Sequence, residues 1–262
     1  MNTGSQSACS ISAHKSSCLL LDAAVLLMAS GAHTERVNRN LKRLAAALGF
    51  EVELFFSLSG ITLTLSDHRH EPITAFRKVP AYGVQLSVVS AISRLSWKAM
   101  EEQMPFDSIE KEIQRIRTLP HYPKPLVIMM IALAGMAFCR VSGADYLSVA
   151  LAGVATALGF YTRNLLLQKH YTLPICVAMA AFVASGISGI GYISAIIPHP
   201  EIAVATSVLF LIPGIPMINS IVDLVHGHII TGQGRAMQAI VISMAIAMGI
   251  TLSSALLGAL IP

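Results

Sequence analysis

The chain has 262 residues, of which 54% are hydrophobic and only 12% charged, about half the charged fraction of ordinary soluble domains. Lys, Arg, Asp and Glu number 24 in residues 1–122 and 8 in residues 123–262, so a polar half is joined to an apolar half. The net charge of +4 comes from bases interspersed with acids rather than from a basic block, which argues against a nucleic-acid surface; the four cysteines, Cys9, Cys18, Cys139 and Cys176, show no CxxC or zinc-type spacing and indicate neither a disulfide framework nor a structural metal.

In chain order, the apolar run Leu19–Ala29 behind Lys15 imitates a signal peptide, but Asp22 interrupts it, and the segment reads as a buried helix stopped at Gly31. Val37, Leu41, Leu44, Ala45 and Leu48 share one face of a helix over 34–48 that Gly49 ends, with Arg36, Arg39, Lys42 and Arg43 around the rest. From Glu51 the period becomes two. Val52, Leu54, Phe56 and Leu58, then Ile61, Leu63 and Leu65 beyond Ser59-Gly60, predict a hairpin, with a third strand over Ile73–Val79. Helices follow at Val84–Met100 and Ser108–Leu119, the second capped by Asp107 with Glu110 as its partner. Residues 1–122 therefore read as a small α+β domain. His33, Glu35, His68, His70 and Glu71 are the residues a hydrolase or metal site in this half would use. The setting of His68 and His70 among Asp, Arg and Glu is that of a solvated turn, and no GxSxG, HExxH or glycine-rich phosphate loop is present.

Residues 123–262 read as an all-α bundle of five transmembrane helices, at 125–141, 145–162, 173–197, 202–222 and 236–261, since a hydrocarbon core of about 30 Å needs about 20 apolar residues per helix. The basic residues at the joints set the orientation. With the polar half cytoplasmic, Lys124, Arg163, Lys169 and Arg235 lie inside, only Arg140 lies outside, and the C-terminus is external. Ala181, Ser185 and Gly189, at intervals of four, form a seam for close helix approach. In the fourth span Pro213 and Pro216 flank Gly214 and must break the helix, a feature that transporters place around substrate and ion sites. Pro216 suits the first position of the second half-helix. Asn219, Asp223 and His226 then make a polar stripe at i, i+4 and i+7. An acid at that depth is costly, so Asp223 is expected to face a cavity or an ion, or else to sit at the cytoplasmic interface. His226 and His228 are proton-relay candidates or solvated interfacial groups, and Arg235 reads as a positive-inside anchor in preference to a partner for Asp223.

Ser30-Gly-Ala-His-Thr-Glu-Arg-Val37, followed by the five runs, Pro213-Gly-Ile-Pro-Met-Ile-Asn-Ser-Ile-Val-Asp223, and Gly227-His228 through Gly232 to Arg235, resembles the threonine/serine exporter (ThrE) family. Arg163-Asn-Leu-Leu-Leu-Gln-Lys-His170 looks most like its YjjP branch. The resemblance implies not an enzyme but a cofactor-free exporter subunit in a bacterial inner membrane, multi-pass, with a cytoplasmic N-terminal domain and a periplasmic C-terminus. It also implies a substrate among succinate, threonine and serine, a separate small YjjB-like membrane subunit that completes the pathway, and an oligomeric assembly in the lipid bilayer. Pro213, Gly214, Pro216, Asn219, Asp223, Gly227 and Arg235 stand at the family's recurrent positions, and with His226 they are the expected substrate and ion pathway. The competing readings are a membrane-anchored hydrolase built around His33 and His68, and a non-transporting sensor or scaffold.

Overall fold

The computed structural model describes residues 3–67, 70–80, 83–120, 122–194 and 200–260. The chain forms two compact units, one of Met1–Pro120 with Ile215–Met237, the other of His121–Gly214 with Gln238–Pro262.

In the first unit, α1 (Thr3–Ala29) ends where Gly31 takes φ +94°. Its carbonyls are closed by Gly31 N–H to Met28 O at 3.2 Å and Ala32 N–H to Leu27 O at 3.0 Å, the doubly bonded glycine stop that a residue with a Cβ adopts only at a cost. The helix after it, α2 (Thr34–Ala47), buries Val37, Leu41, Leu44 and Ala45, as its spacing predicts. Strands β1 (Glu51–Phe56), β2 (Gly60–Asp67) and β3 (His70–Lys78) form an antiparallel sheet in that order. In the hairpin Phe56 faces Ile61 and Val52 faces Leu65, so one face of the pleat carries the apolar set into the core. β3 begins earlier than its sequence pattern indicates, at His70, because the ladder from β2 extends to Asp67.

Asp22, the acid inside the apolar run, pairs with Arg77 on β3, which explains how α1 tolerates it. Helices α3 (Leu86–Glu101) and α4 (Phe106–Arg117) complete the unit. The N-cap of α4 is Pro105, not Asp107, and no side chain caps it. Extended Pro105 starts the helix earlier than the sequence pattern indicates and places Asp107 in the first turn, where its charge meets the positive end of the helix. Leu20 and Leu27 of α1, Leu41 of α2, Ile61 and Leu63 of β2, Ile92 of α3 and Ile109 of α4 all belong to one core.

The second unit holds α5 (Lys124–Val141), α6 (Tyr146–Gln168), α7 (Leu173–Ser194), α8 (Pro200–Ser207), a 3-10 turn at Leu209–Leu211, and the greater part of α10 (Ile229–Leu260). Among the described residues, four stretches are long and apolar enough to cross a membrane: Lys124–Val141, Tyr146–Gln168, Leu173–Gly191 and Ile229–Gly258. A fifth crossing exists if Pro200–Leu211 and α9 (Gly214–Val225) count as one broken span. Large apolar side chains such as Met129, Met130, Phe138, Leu158, Met244 and Met248 are exposed, as on a bundle whose outer surface meets hydrocarbon. The chain is a multi-pass membrane protein, mostly helical with one small sheet.

Two helices run further than the apolar stretches that mark them. α6 continues through Arg163 to Gln168, and α10 begins at Ile229 instead of 236, so Arg163 and Arg235 lie within helices and not in joints. With 32 residues, α10 is about 48 Å long, well beyond a hydrocarbon core of about 30 Å. The small-residue seam of α7 receives α10. Gly249 lies against the Ala178 carbonyl and Ala181, which leaves no room for a Cβ there, and Gly189 lies against the end of the Leu257 side chain.

Candidate functional site

The break in the chain at Pro213 is local in origin. Ile212 is extended with ψ 126°, and the Gly214 N–H turns back to the Ile212 carbonyl at 2.8 Å. The second half-helix, α9, starts at Gly214 and not at Pro216. Pro216 occupies its first turn, where a backbone N–H has no intrahelical acceptor and its absence costs nothing. Asn219 and Asp223 follow one and two turns on, both buried. α9 stops at Gly227, with φ +82°, through Gly227 N–H to Leu224 O at 3.1 Å and His228 N–H to Asp223 O at 2.8 Å. The chain then re-enters a helix at Ile229, which brings Thr231 and Arg235, one turn apart, alongside Asp223.

These side chains close on the segment Gly31–Glu35. Asn219 donates from Nδ2 to the Gly31 carbonyl at 2.8 Å. Asp223 accepts the Thr34 backbone N–H on Oδ1 at 2.7 Å and the Thr34 hydroxyl on Oδ2 at 2.9 Å. Arg235 places Nη1 2.9 Å from Asp223 Oδ2 and donates from Nη2 to the Ala32 carbonyl at 2.9 Å. The side chains of Asp223 and Arg235 are 0% and 3% exposed, so this is a closed ion pair and not a screened surface contact. Thr34 is the first residue of α2, and its N–H is one of the helix donors that have no intrahelical acceptor. The carboxylate of Asp223 therefore sits at the positive end of α2, 189 residues away in sequence.

Around this node, Thr231 Oγ1 lies 3.1 Å from Thr34 Oγ1 and donates to the His228 carbonyl at 3.0 Å. His228 Nε2 is 3.4 Å from Glu35 Oε2, with the Phe56 ring edge-on to the imidazole. His33 caps α2 by accepting the Arg36 N–H on Nδ1 at 3.2 Å. Burial holds its pKa below the ordinary value, Asp223 opposes that shift, and Arg36, Arg235 and Arg39 reinforce it. A neutral imidazole is what this cap requires, because a protonated Nδ1 cannot accept.

The structure thus joins Asn219, Asp223 and Arg235 and separates them from His226, which is exposed and turned onto the Val222 carbonyl at 2.8 Å. The expected stripe therefore ends at Asp223: the His226 ring lies on a carbonyl of α9, one turn back. Arg235 is corrected from an interfacial anchor to the buried partner of Asp223. Pro213, Gly214, Pro216 and Gly227 act on the backbone. Thr34 is the participant that sequence reasoning missed. It stood inside the quoted segment Ser30–Val37, but nothing in its spacing indicated a contact with Asp223.

Of the residues a hydrolase would use, His33 is engaged as a cap and Glu35 with His228. His68 and the side chain of His70 lie outside the described residues. Among the described residues, no three His, Cys, Asp or Glu side chains gather where a metal ion could bind.

Residues 19–257 match the model of the ThrE family, described as "Putative threonine/serine exporter". A "Probable succinate transporter subunit YjjP" of Klebsiella aerogenes is 31% identical, over 92% of this chain and 93% of the relative. A protein of the same name from Escherichia coli K12 is 30% identical, over 92% and 94% of the two chains. A "Probable threonine/serine exporter" of Mycobacterium tuberculosis is 24% identical, over 70% of this chain and 34% of its own length. These are names of transporters and not of enzymes. No solved structure matches the chain.

Proposed function

The chain belongs to the threonine/serine exporter family, and on that premise we propose that it is one subunit of a gradient-coupled exporter of small carboxylate-bearing metabolites, succinate first among succinate, threonine and serine. The observation that carries this reading is the buried Asp223–Arg235 pair, two turns beyond a proline break. An unpaired Asp223 would repel a dianion. Paired with Arg235 its charge is cancelled, and the pair offers one cation for which two carboxylates can compete. A proton taken up on the Asp223 carboxylate removes its negative charge and makes the Arg235 guanidinium available to a substrate carboxylate. Loss of that proton returns Arg235 to Asp223 and releases the substrate. Asn219 is placed to hold a second polar group, and Pro213, Gly214 and Pro216 keep the backbone open at the break.

In this reading residues 1–122 form a cytoplasmic domain, residues 123–262 supply the membrane spans in the inner membrane, with Ile215–Met237 packed in one compact unit with the N-terminal residues, and the C-terminus is periplasmic. The word "subunit" in the relatives' names supports a partner protein, and in this reading that partner is a small membrane protein of YjjB type that supplies the rest of the pathway. The test is efflux of labelled succinate, threonine and serine from cells lacking this gene, complemented with the chain alone or with the YjjB-like protein. Export restored only by the pair is the expected result, and Asp223→Asn should abolish or uncouple it while the protein remains in the membrane. No export of any of the three by the inserted pair would refute the proposal.

A further inference from the structure

Thr34 meets Asp223 twice. Its backbone N–H reaches Oδ1 at 2.7 Å and its hydroxyl reaches Oδ2 at 2.9 Å. Two donors from one residue, aimed at the two oxygens, fix the rotation of the carboxylate as well as its place. That rotation turns Oδ2 toward Arg235. Thr34 is itself held: it is fully buried at the first position of α2, and its β-branched side chain has few rotamers. The two donors differ in what they do. The N–H belongs to the backbone and survives any side-chain substitution. The hydroxyl is the side-chain donor to Oδ2, the oxygen that also faces the Arg235 guanidinium.

We propose that Thr34 is a positioning residue for export, acting through Asp223: its hydroxyl sets the carboxylate in the orientation from which Arg235 is exchanged between Asp223 and substrate. This rests on the exchange reading above and assigns a role in it to the N-terminal helical segment, which contributes nothing to the membrane spans. Valine at 34 keeps the shape and removes the donor, whereas serine keeps the donor and removes a methyl group.

The experiment measures efflux of labelled succinate per molecule of full-length chain in the membrane, with the second membrane subunit present, for Thr34→Val, Thr34→Ser, Asp223→Asn and Thr34→Val combined with Asp223→Asn. The expected result is a loss of about tenfold in Thr34→Val, recovery to within about threefold in Thr34→Ser, and no further loss when Thr34→Val is added to Asp223→Asn. Wild-type efflux per molecule in Thr34→Val, beside an inactive Asp223→Asn, overturns the role of Thr34 and leaves the exchange reading standing. Equal losses of efflux per molecule in the valine and serine variants show a packing role and also overturn it. Normal efflux in Asp223→Asn refutes the exchange reading, and the role of Thr34 with it.

Discussion

Removing the guanidinium from the closed site gives the sharpest test of its construction. In Arg235→Met the hydrophobic stem is kept, but Asp223, 0% exposed, loses the cation 2.9 Å from Oδ2, and the Ala32 carbonyl loses its donor. Leaving one charge of a buried pair uncompensated costs about 3–5 kcal/mol, a large share of the about 5–15 kcal/mol that holds a domain folded. Asp223→Asn combined with Arg235→Met removes both charges while an amide oxygen can still accept the Thr34 N–H, so the loss shrinks to about 1–2 kcal/mol. The double variant is therefore expected to be more stable than the single one by about 2 kcal/mol. Trp97, the chain's single tryptophan, lies on α3 of the same unit at 46% exposure with the Arg43 guanidinium over its ring. Urea unfolding of the full chain in detergent, followed by Trp97 fluorescence, reads both variants. A loss below about 1 kcal/mol in Arg235→Met, the range of exposed ion pairs, or the absence of any recovery in the double variant, would refute a closed, mutually compensating node.

Two further outcomes follow from other parts of the molecule. Because burial holds the His33 pKa below about 6.5, the folded state favours the neutral cap; its contribution is complete above about 6.5 and is lost as pH falls from there through the lowered folded value. The urea midpoint should therefore decline between about pH 7 and 5 in wild type and decline less in His33→Asn, which caps α2 without titrating; parallel profiles would exclude His33 as the cause. In the membrane bundle, Gly249→Leu should cost about 1–3 kcal/mol or prevent assembly, since even a Cβ there meets the Ala178 carbonyl and Ala181, whereas Gly258→Ala, with nothing within 4 Å, should be neutral or stabilising; equal membrane yields and detergent melting temperatures for both would remove α10 from the seam of α7.

Local rules accounted for most of the elements. The four-residue spacing of Val37, Leu41 and Leu44, the alternation from Val52 to Leu65, and the stops at Gly31 and Gly49 are short-range properties, and the structure realises each of them. The break at Pro213 was legible for the same reason: a missing N–H and a fixed φ act within one turn, whatever the surroundings. Element ends were less so, because hydropathy marks where a helix is apolar and not where it is helical; α6 runs on through Arg163, and α10 starts before Arg235. The identity of the site's residues was visible in Asn219, Asp223 and Arg235, but their partners were not. Whether a buried carboxylate faces an ion, a cavity, a guanidinium or a helix terminus depends on which distant segment packs against it, and no periodicity spans the sequence separation of 189 from Thr34 to Asp223. Only the tertiary fold decided that Asp223 would be held by the first turn of α2 and by Arg235, while His226, on the same apparent stripe, would stay exposed with its ring on the Val222 carbonyl of α9.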